Sequence, residues 1–217
     1  MNALDKDPPK IGFEWQEKYP KTVDLSPNTY SYDSVFLDFL MEQQIPAKLE
    51  RLTGFPLVLG DVSLRKSFDE SSYMDWHRDT YWYSGRSPVG RTPPLFKMII
   101  YPRLTHKTTR QLKVIQGSHH RFFQNRILDR IQTMLCKASH IESSDESGIF
   151  FNSAILHGAS SENIPEGSFR LMFNFCLRSQ LSQFEKNRSL HETYSRLFDK
   201  KRDISRRTVG NEIPAQL

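Results

Sequence analysis

From Tyr32 to Arg51 the stretch "YDSVFLDFLMEQQIPAKLER" repeats its apolar residues at helical spacing, with Val35, Phe36, Phe39 and Leu40 on one stripe. Pro46 divides the run. The pattern predicts a helix ending near Gln44 and a second, shorter one opened by Pro46 and closed near Gly54, since proline favours the first turn and glycine the end.

After Gly54 the period becomes that of strands. The expected strands are 56–66, 73–78, 95–101, 111–115, 149–156 and 168–177, separated by Gly, Pro and Ser clusters, a series that fits a sandwich or barrel. Residues 1–31 are polar and rich in Pro, Lys and Asp, and read as an irregular N-terminal arm. Helical spacing returns at Leu190, Tyr194, Leu197 and Phe198, enough to dock one helix. The expected organisation is an arm (1–31), a mainly β domain with flanking helices (32–177) and a basic helical tail (178–217). Neither internal repeats nor low-complexity tracts interrupt it.

Composition narrows the class. At 217 residues with 37% apolar content the chain can build one sizeable core. It contains no apolar run of the roughly 18–20 residues that a membrane span needs, and "MNALDKDPPK" has no hydrophobic signal region. A soluble, cytoplasmic protein is expected. The cysteines, Cys136 and Cys176, are too few for a disulfide framework and read as reduced structural thiols. The net charge of +5 resides in the tail: residues 186–207 hold eight Lys or Arg against three acidic residues, leaving 22 of each sign elsewhere. A solvated charged tail is favoured over a nucleic-acid or membrane patch.

Candidate chemistry starts at "MDWHRDTYW", residues 74–82. In an extended segment alternate side chains share a face, so His77 and Asp79 point one way and Arg78 the other. An imidazole and a carboxylate aimed at one point suit a divalent first-row metal, although a structural hydrogen bond explains a lone His-x-Asp pair as well. A third ligand is needed. His157, in "FFNSAILHGAS", closes an apolar strand at the mouth of a barrel; taken alone, it reads as an ordinary histidine donating to a backbone carbonyl. In "GSFRLMFNFCL" Arg170, Met172 and Asn174 share one face, and Phe169, Leu171, Phe173 and Phe175 the other, so Arg170 is expected to be enclosed. An enclosed guanidinium needs an anion. A ligand carboxylate held by the planar fork would serve, as would a distant Asp or Glu. Two histidines and one carboxylate make up the facial set of non-haem iron(II) oxygenases.

With these motifs in place, the chain resembles the phytanoyl-CoA dioxygenase family of iron(II) and 2-oxoglutarate dependent oxygenases. The resemblance rests on "WHRDTYW" (76–82), "FKMIIYP" (96–102), "QLKVIQGSHH" (111–120), "ILHGAS" (155–160) and "FRLMFNF" (169–175), and covers roughly residues 32–177. It implies a double-stranded β-helix, the cupin-like jelly roll. It assigns His77, Asp79 and His157 to Fe(II), Arg170 to the distal carboxylate of 2-oxoglutarate, and Lys97, Ile99 and Tyr101 to the inward face, with Lys97 or Tyr101 adding a hydrogen bond to the cosubstrate. Gln116 stands where the family's turn has proline, Arg110 where it often has glycine, and Ala159 where it often has serine, with Ser160 as an imperfect substitute. His119, His120, His106, His140 and His191 read as structural.

The implied reaction is hydroxylation of an unactivated C–H, with O2 consumed and 2-oxoglutarate converted to succinate and CO2. Desaturation, ring formation or epimerisation would depend on how the substrate is placed. Asp79 argues against halogenation, because related halogenases carry a small residue there. The segment 80–94 is expected to form a lid, with Tyr81, Trp82, Tyr83, Arg86 and Arg91 facing a small-molecule substrate and the arginines favouring an anionic one; a solvated loop accounts for it equally. The rival classes are a non-oxygenase cupin-type metal- or sugar-binding module, which gives Arg170 no task, and a nucleic-acid modifying oxygenase, for which the tail holds only Tyr194 and Phe198 as stacking aromatics.

Overall fold

The computed structural model describes residues 22–24, 35–67, 76–79, 95–101, 112–121, 125–143, 147–159, 169–183, 196 and 199–203. Helices α1 (Val35–Glu42) and α2 (Ile45–Thr53) form the expected pair. Pro46 sits in the first turn of α2, and Gly54 ends it at φ 74°, its N–H on the Glu50 carbonyl at 2.9 Å. Glycine adopts that left-handed conformation without a Cβ penalty. The buried stripe of α1 differs from the expected one: Leu37 and Leu40 are buried, Phe36 and Phe39 pack partly, and Val35 is 51% exposed. Val35 is the first helical residue, and the face that meets the sheet runs through Leu37 and Leu40 instead.

Strands β1 (Thr22–Asp24), β2 (Leu57–Ser67), β8 (Phe169–Leu177), β3 (Phe96–Ile100) and β6 (Gly148–Asn152) form a five-stranded antiparallel sheet in that order. Strands β5 (Ser139–Ile141), β4 (Leu112–Val114) and β7 (His157–Ala159) form a second, three-stranded one. This is the two-sheet jelly roll, mainly β with flanking helices. Thr22–Asp24, within the expected irregular arm, adds an edge strand to β2.

Two apolar layers follow from strand alternation. Leu171, Phe173 and Phe175 of β8, with Met98 of β3, face α1 and α2; Met172, Ile99, Tyr101, Ile149 and Phe151 face Leu112 and Val114 of the second sheet. Arg170, Met172 and Asn174 therefore lie on the inner face, as expected. In β2 a bulge at Gly60 shifts the register by one residue between Leu59 and Asp61, which keeps Leu57 and Leu59 on the same outer layer as Val62 and Leu64.

Two expected strands are corrected. Residues 149–156 are not continuous: β6 stops at Asn152, whose side chain accepts from Ala154 N–H at 2.9 Å while Ile155 N–H returns to the Asn152 carbonyl. That turn carries the chain from one sheet to the other, so His157 opens β7 instead of closing β6. Of 73–78, the described residues 76–78 form no regular strand; His77 makes an isolated bridge with His157, and Asp79 lies in a 3-10 turn.

None of the expected elements covers helix α3 (Arg126–Leu135) or β5. At the other end, Lys201 pairs with Asp38, and Arg202 reaches Glu50 Oε1 at 3.3 Å and the Leu57 carbonyl at 3.0 Å, so part of the basic tail is tied to the helices. The tail residues Leu190, Tyr194, Leu197 and Phe198, the segment 80–94 with Tyr81, Trp82, Tyr83, Arg86 and Arg91, and His106, Arg110, Ser160 and His191 lie outside the described residues. Among those described, no helix is long and apolar enough to cross a membrane.

Candidate metal centre

The site is assembled by a backbone ribbon. His77 N–H donates to the His157 carbonyl at 2.8 Å, His157 N–H returns to the His77 carbonyl at 2.9 Å, and Asp79 N–H donates to the Ser153 carbonyl at 3.1 Å. Two segments eighty residues apart are thereby held side by side. On one side of the ribbon the His77 and His157 rings lie 4.3 Å apart at 51°. The Asp79 carboxylate meets both: Oδ1 is 3.5 Å from His77 Nε2, and Oδ2 is 3.5 Å from His157 Nε2. Alternation along the chain, read from sequence, thus holds at His77, Arg78 and Asp79 even though the segment is not a regular strand.

The His157 ring is held in one orientation. Its Nδ1 lies 2.9 Å from the Ile155 carbonyl, which fixes Nδ1–H as the donor and leaves the Nε2 lone pair toward Asp79. Burial pushes its pKa down to about 3; Asp79 opposes the fall, and His77 and Lys97 add to it, so the ring is neutral. The edge of Phe151 closes over it at 4.9 Å. For Asp79, burial acts to raise the pKa, but Lys97 first, then His157 and His77, more than offset it and hold the carboxyl well below the usual range. Lys97 Nζ is 2.6 Å from Asp79 Oδ2.

The donor set fits a divalent first-row metal. One ligand atom from each of His77, Asp79 and His157 lies within 4.8 Å of the others. Nitrogen and oxygen donors bind such ions at about 2.0–2.2 Å, so two bonds of that length span the observed 3.5 Å separations. Among the described residues no other such group of three or more occurs.

Arg170 and Tyr101 are buried at 3% and 2% exposure. The register pairs Lys97 with Asn174 and Ile100 with Leu171, and Tyr101 and Arg170 are the chain neighbours of that last pair. Lys97, Tyr101 and Arg170 thus share the inner face of neighbouring strands, with Lys97 at the metal-ligand end. Ser118, in a 3-10 turn (Ser118–Arg121), accepts Leu156 N–H on its hydroxyl at 2.8 Å, while the rings of His119 and His120 lie 3.8 Å apart and His140 is exposed on β5.

Sequence reasoning missed what lies behind the ribbon. Arg78, 1% exposed, forms a fork with Asp129 of α3, its Nε and Nη2 each donating to the carboxylate at 2.8–2.9 Å. A charged residue wedged between two candidate ligands was visible; its partner, 51 residues away on an unpredicted helix, was not.

No family model matches the sequence, and no curated protein matches it. Solved structures do. HygX from Streptomyces hygroscopicus, with nickel, 2-oxoglutarate and hygromycin B bound, aligns at TM-score 0.54 and 16% identity over 79% of this chain and 81% of its own. EctD from S. alaskensis with bound Fe aligns at TM-score 0.58 and 13% identity, covering 82% and 66% respectively. SnoN, a non-heme alpha ketoglutarate dependent epimerase from nogalamycin biosynthesis, aligns at 0.54 and 12%, covering 72% and 60%. At these identities the likeness is one of fold: the chain shares with these proteins the double-stranded β-helix that the motif order implied.

Proposed function

We propose that the chain is an Fe(II) and 2-oxoglutarate dependent dioxygenase of the phytanoyl-CoA dioxygenase kind, hydroxylating an unactivated C–H of a small, anionic metabolite. The convergence of the His77, Asp79 and His157 donor atoms carries this reading. His77, Asp79 and His157 would hold the metal, Arg170 the distal carboxylate of 2-oxoglutarate, and Lys97 or Tyr101 would add a hydrogen bond to the cosubstrate. Bound together with 2-oxoglutarate and O2, iron supplies an oxidant strong enough for such a bond, with succinate and CO2 released.

The protein's own contribution is orientation and exclusion of water. Asp79 stays anionic beside Lys97, and His157 presents a neutral Nε2. Arg170 offers a planar fork from a buried position, which suits a carboxylate better than a point charge would. Ile99, Ile149, Phe151 and Met172 wall the inner face with apolar surface, which favours a dry reaction zone. That HygX is known with nickel and 2-oxoglutarate bound, and that SnoN is an alpha ketoglutarate dependent epimerase, supports the cofactor set. The pairing of Lys201 with Asp38 and of Arg202 with Glu50 favours a structural tail over a nucleic-acid grip.

The test is anaerobic titration of the iron(II) protein with 2-oxoglutarate, followed by the metal-to-ligand charge-transfer absorption of the chelate. Absence of the band at confirmed iron occupancy would defeat the oxygenase reading and leave a metal-binding module. Succinate release that depends on an added carboxylated or phosphorylated metabolite would then identify the substrate class.

A further inference from the structure

Arg78 lies between two proposed metal ligands and points away from both. Its guanidinium is shared among three segments. Nε and Nη2 grip the Asp129 carboxylate of α3; Nη1 donates to the Ser118 carbonyl at 2.9 Å and to the Ala154 carbonyl; Nη2 reaches the Arg121 carbonyl at 3.4 Å. Asp129 is itself held, accepting from Gln132 Nε2 at 3.3 Å, and the same amide donates to the Arg121 carbonyl at 3.1 Å. Asp129 and Gln132 are the buried residues of α3, 4% and 8% exposed, while Ile127, Ile131, Met134 and Leu135 face outward. This helix meets the domain through its polar face.

The acceptors have a geometric consequence. Ala154 lies in the turn that delivers His157, and Ser118 also receives the N–H of Leu156. The ribbon of 77–79 against 153–157 therefore carries the ligands on one side and the Arg78 anchor on the other. Because successive side chains alternate, a rotation of the 77–79 backbone that turned His77 and Asp79 would also pull Arg78 from its seat.

We propose that Arg78, seated on Asp129, is a positioning residue of the metal centre, holding the 77–79 segment against the 153–157 turn so that His77, Asp79 and His157 converge on one ion. This rests on the metal-centre reading above. Removal of the carboxylate leaves a buried guanidinium uncompensated, which favours displacement of the segment. A lysine keeps the charge but cannot reproduce a fork bonded to several acceptors.

Metal-free protein would be titrated with Co(II), read by ligand-field absorption, with circular dichroism confirming that each sample is folded. Asp129→Asn keeps side-chain size and Arg78→Lys keeps charge; each is expected to weaken Co(II) by about 10- to 100-fold, the usual effect of losing a residue that orients a ligand. Leu40→Ala, in α1 on the far side of the larger sheet, lowers stability through a cavity and is expected to hold Co(II) within about twofold of wild type, as distant sites act independently. Wild-type affinity in Asp129→Asn would overturn the proposal even if Arg78→Lys failed to fold, and so would a loss matched by Leu40→Ala. A wild-type protein that takes up no Co(II), or a His157→Ala variant that binds as tightly as wild type, would remove the metal centre itself and the inference with it.

Discussion

At the residue scale, the proposed roles separate in measurement. Arg170→Ala should weaken 2-oxoglutarate by about 10- to 100-fold, the worth of charge-assisted hydrogen bonds of about 1.5–3 kcal/mol, and leave metal affinity nearly unchanged. Asp79→Ala should abolish tight metal binding; separate titrations of metal and cosubstrate check both, and equal effects of the two variants would mean the roles are misassigned. The neutral, buried His157 also predicts an acid limit for the metal-free chain. Its folded pKa, about 3, lies below the ordinary value of 6.5, so the unfolded chain takes up a proton first and stability falls as pH drops from 6.5 toward 3. Asp79, held below 3.8, acts in the same direction at the lower end of that range. Urea midpoints measured across that window should show the decline, and His157→Gln should flatten it. His77, Asp79, His157 and Arg170 were all legible as candidates, because alternation and motif order are local properties. The Arg78–Asp129 pair was not, since no local pattern specifies a partner 51 residues away.

At the scale of elements, β2, β3, β4 and β8 and the bounds of the two N-terminal helices lie close to those expected, while the buried stripe of α1 does not. One miss has a physical cause. Strand spacing read 149–156 as continuous because Ala154, Ile155 and Leu156 are apolar, yet the Asn152 side chain reverses the chain there by a short-range hydrogen bond. Helix α3 was legible as an apolar stripe, with Ile127, Leu128, Ile131, Met134 and Leu135 at helical spacing, and was overlooked; what no pattern could show is that this stripe faces outward while the polar Asp129 and Gln132 are buried, the opposite of the usual rule. Its start depends on Asn125, whose side chain accepts from Ile127 N–H at 2.8 Å and Leu128 N–H at 3.3 Å. Asn125→Ala should therefore cost about 1 kcal/mol of stability in chemical denaturation. Because this helix carries Asp129, the same variant is expected to raise the dissociation constant for metal, by less than Asp129→Asn does.

At the scale of the whole molecule, α1 and α2 cover one face of the larger sheet and the smaller sheet covers the other, so β8 is buried on both sides. Cys176, at its outer end, has no solvent exposure, and burial pushes its thiol up to about 12. Native protein should therefore react with a thiol reagent at the partly exposed Cys136 alone and take up a second label only on unfolding, which mass spectrometry across a denaturant series would follow. Two labels in native buffer would contradict the double-covered sheet. By itself the sequence determined the class of the fold, most of its strands and which side chains share a face, because those depend on residue type and on a period of two or 3.6. Tertiary structure alone decided that His157 begins a strand in the second sheet, that Lys97 Nζ sits on Asp79, and that the ligand ribbon is anchored from behind by α3. Each of these depends on which distant segments become neighbours, and that is settled by sheet register and the burial of paired charges, neither of which has a signature in a short stretch of chain.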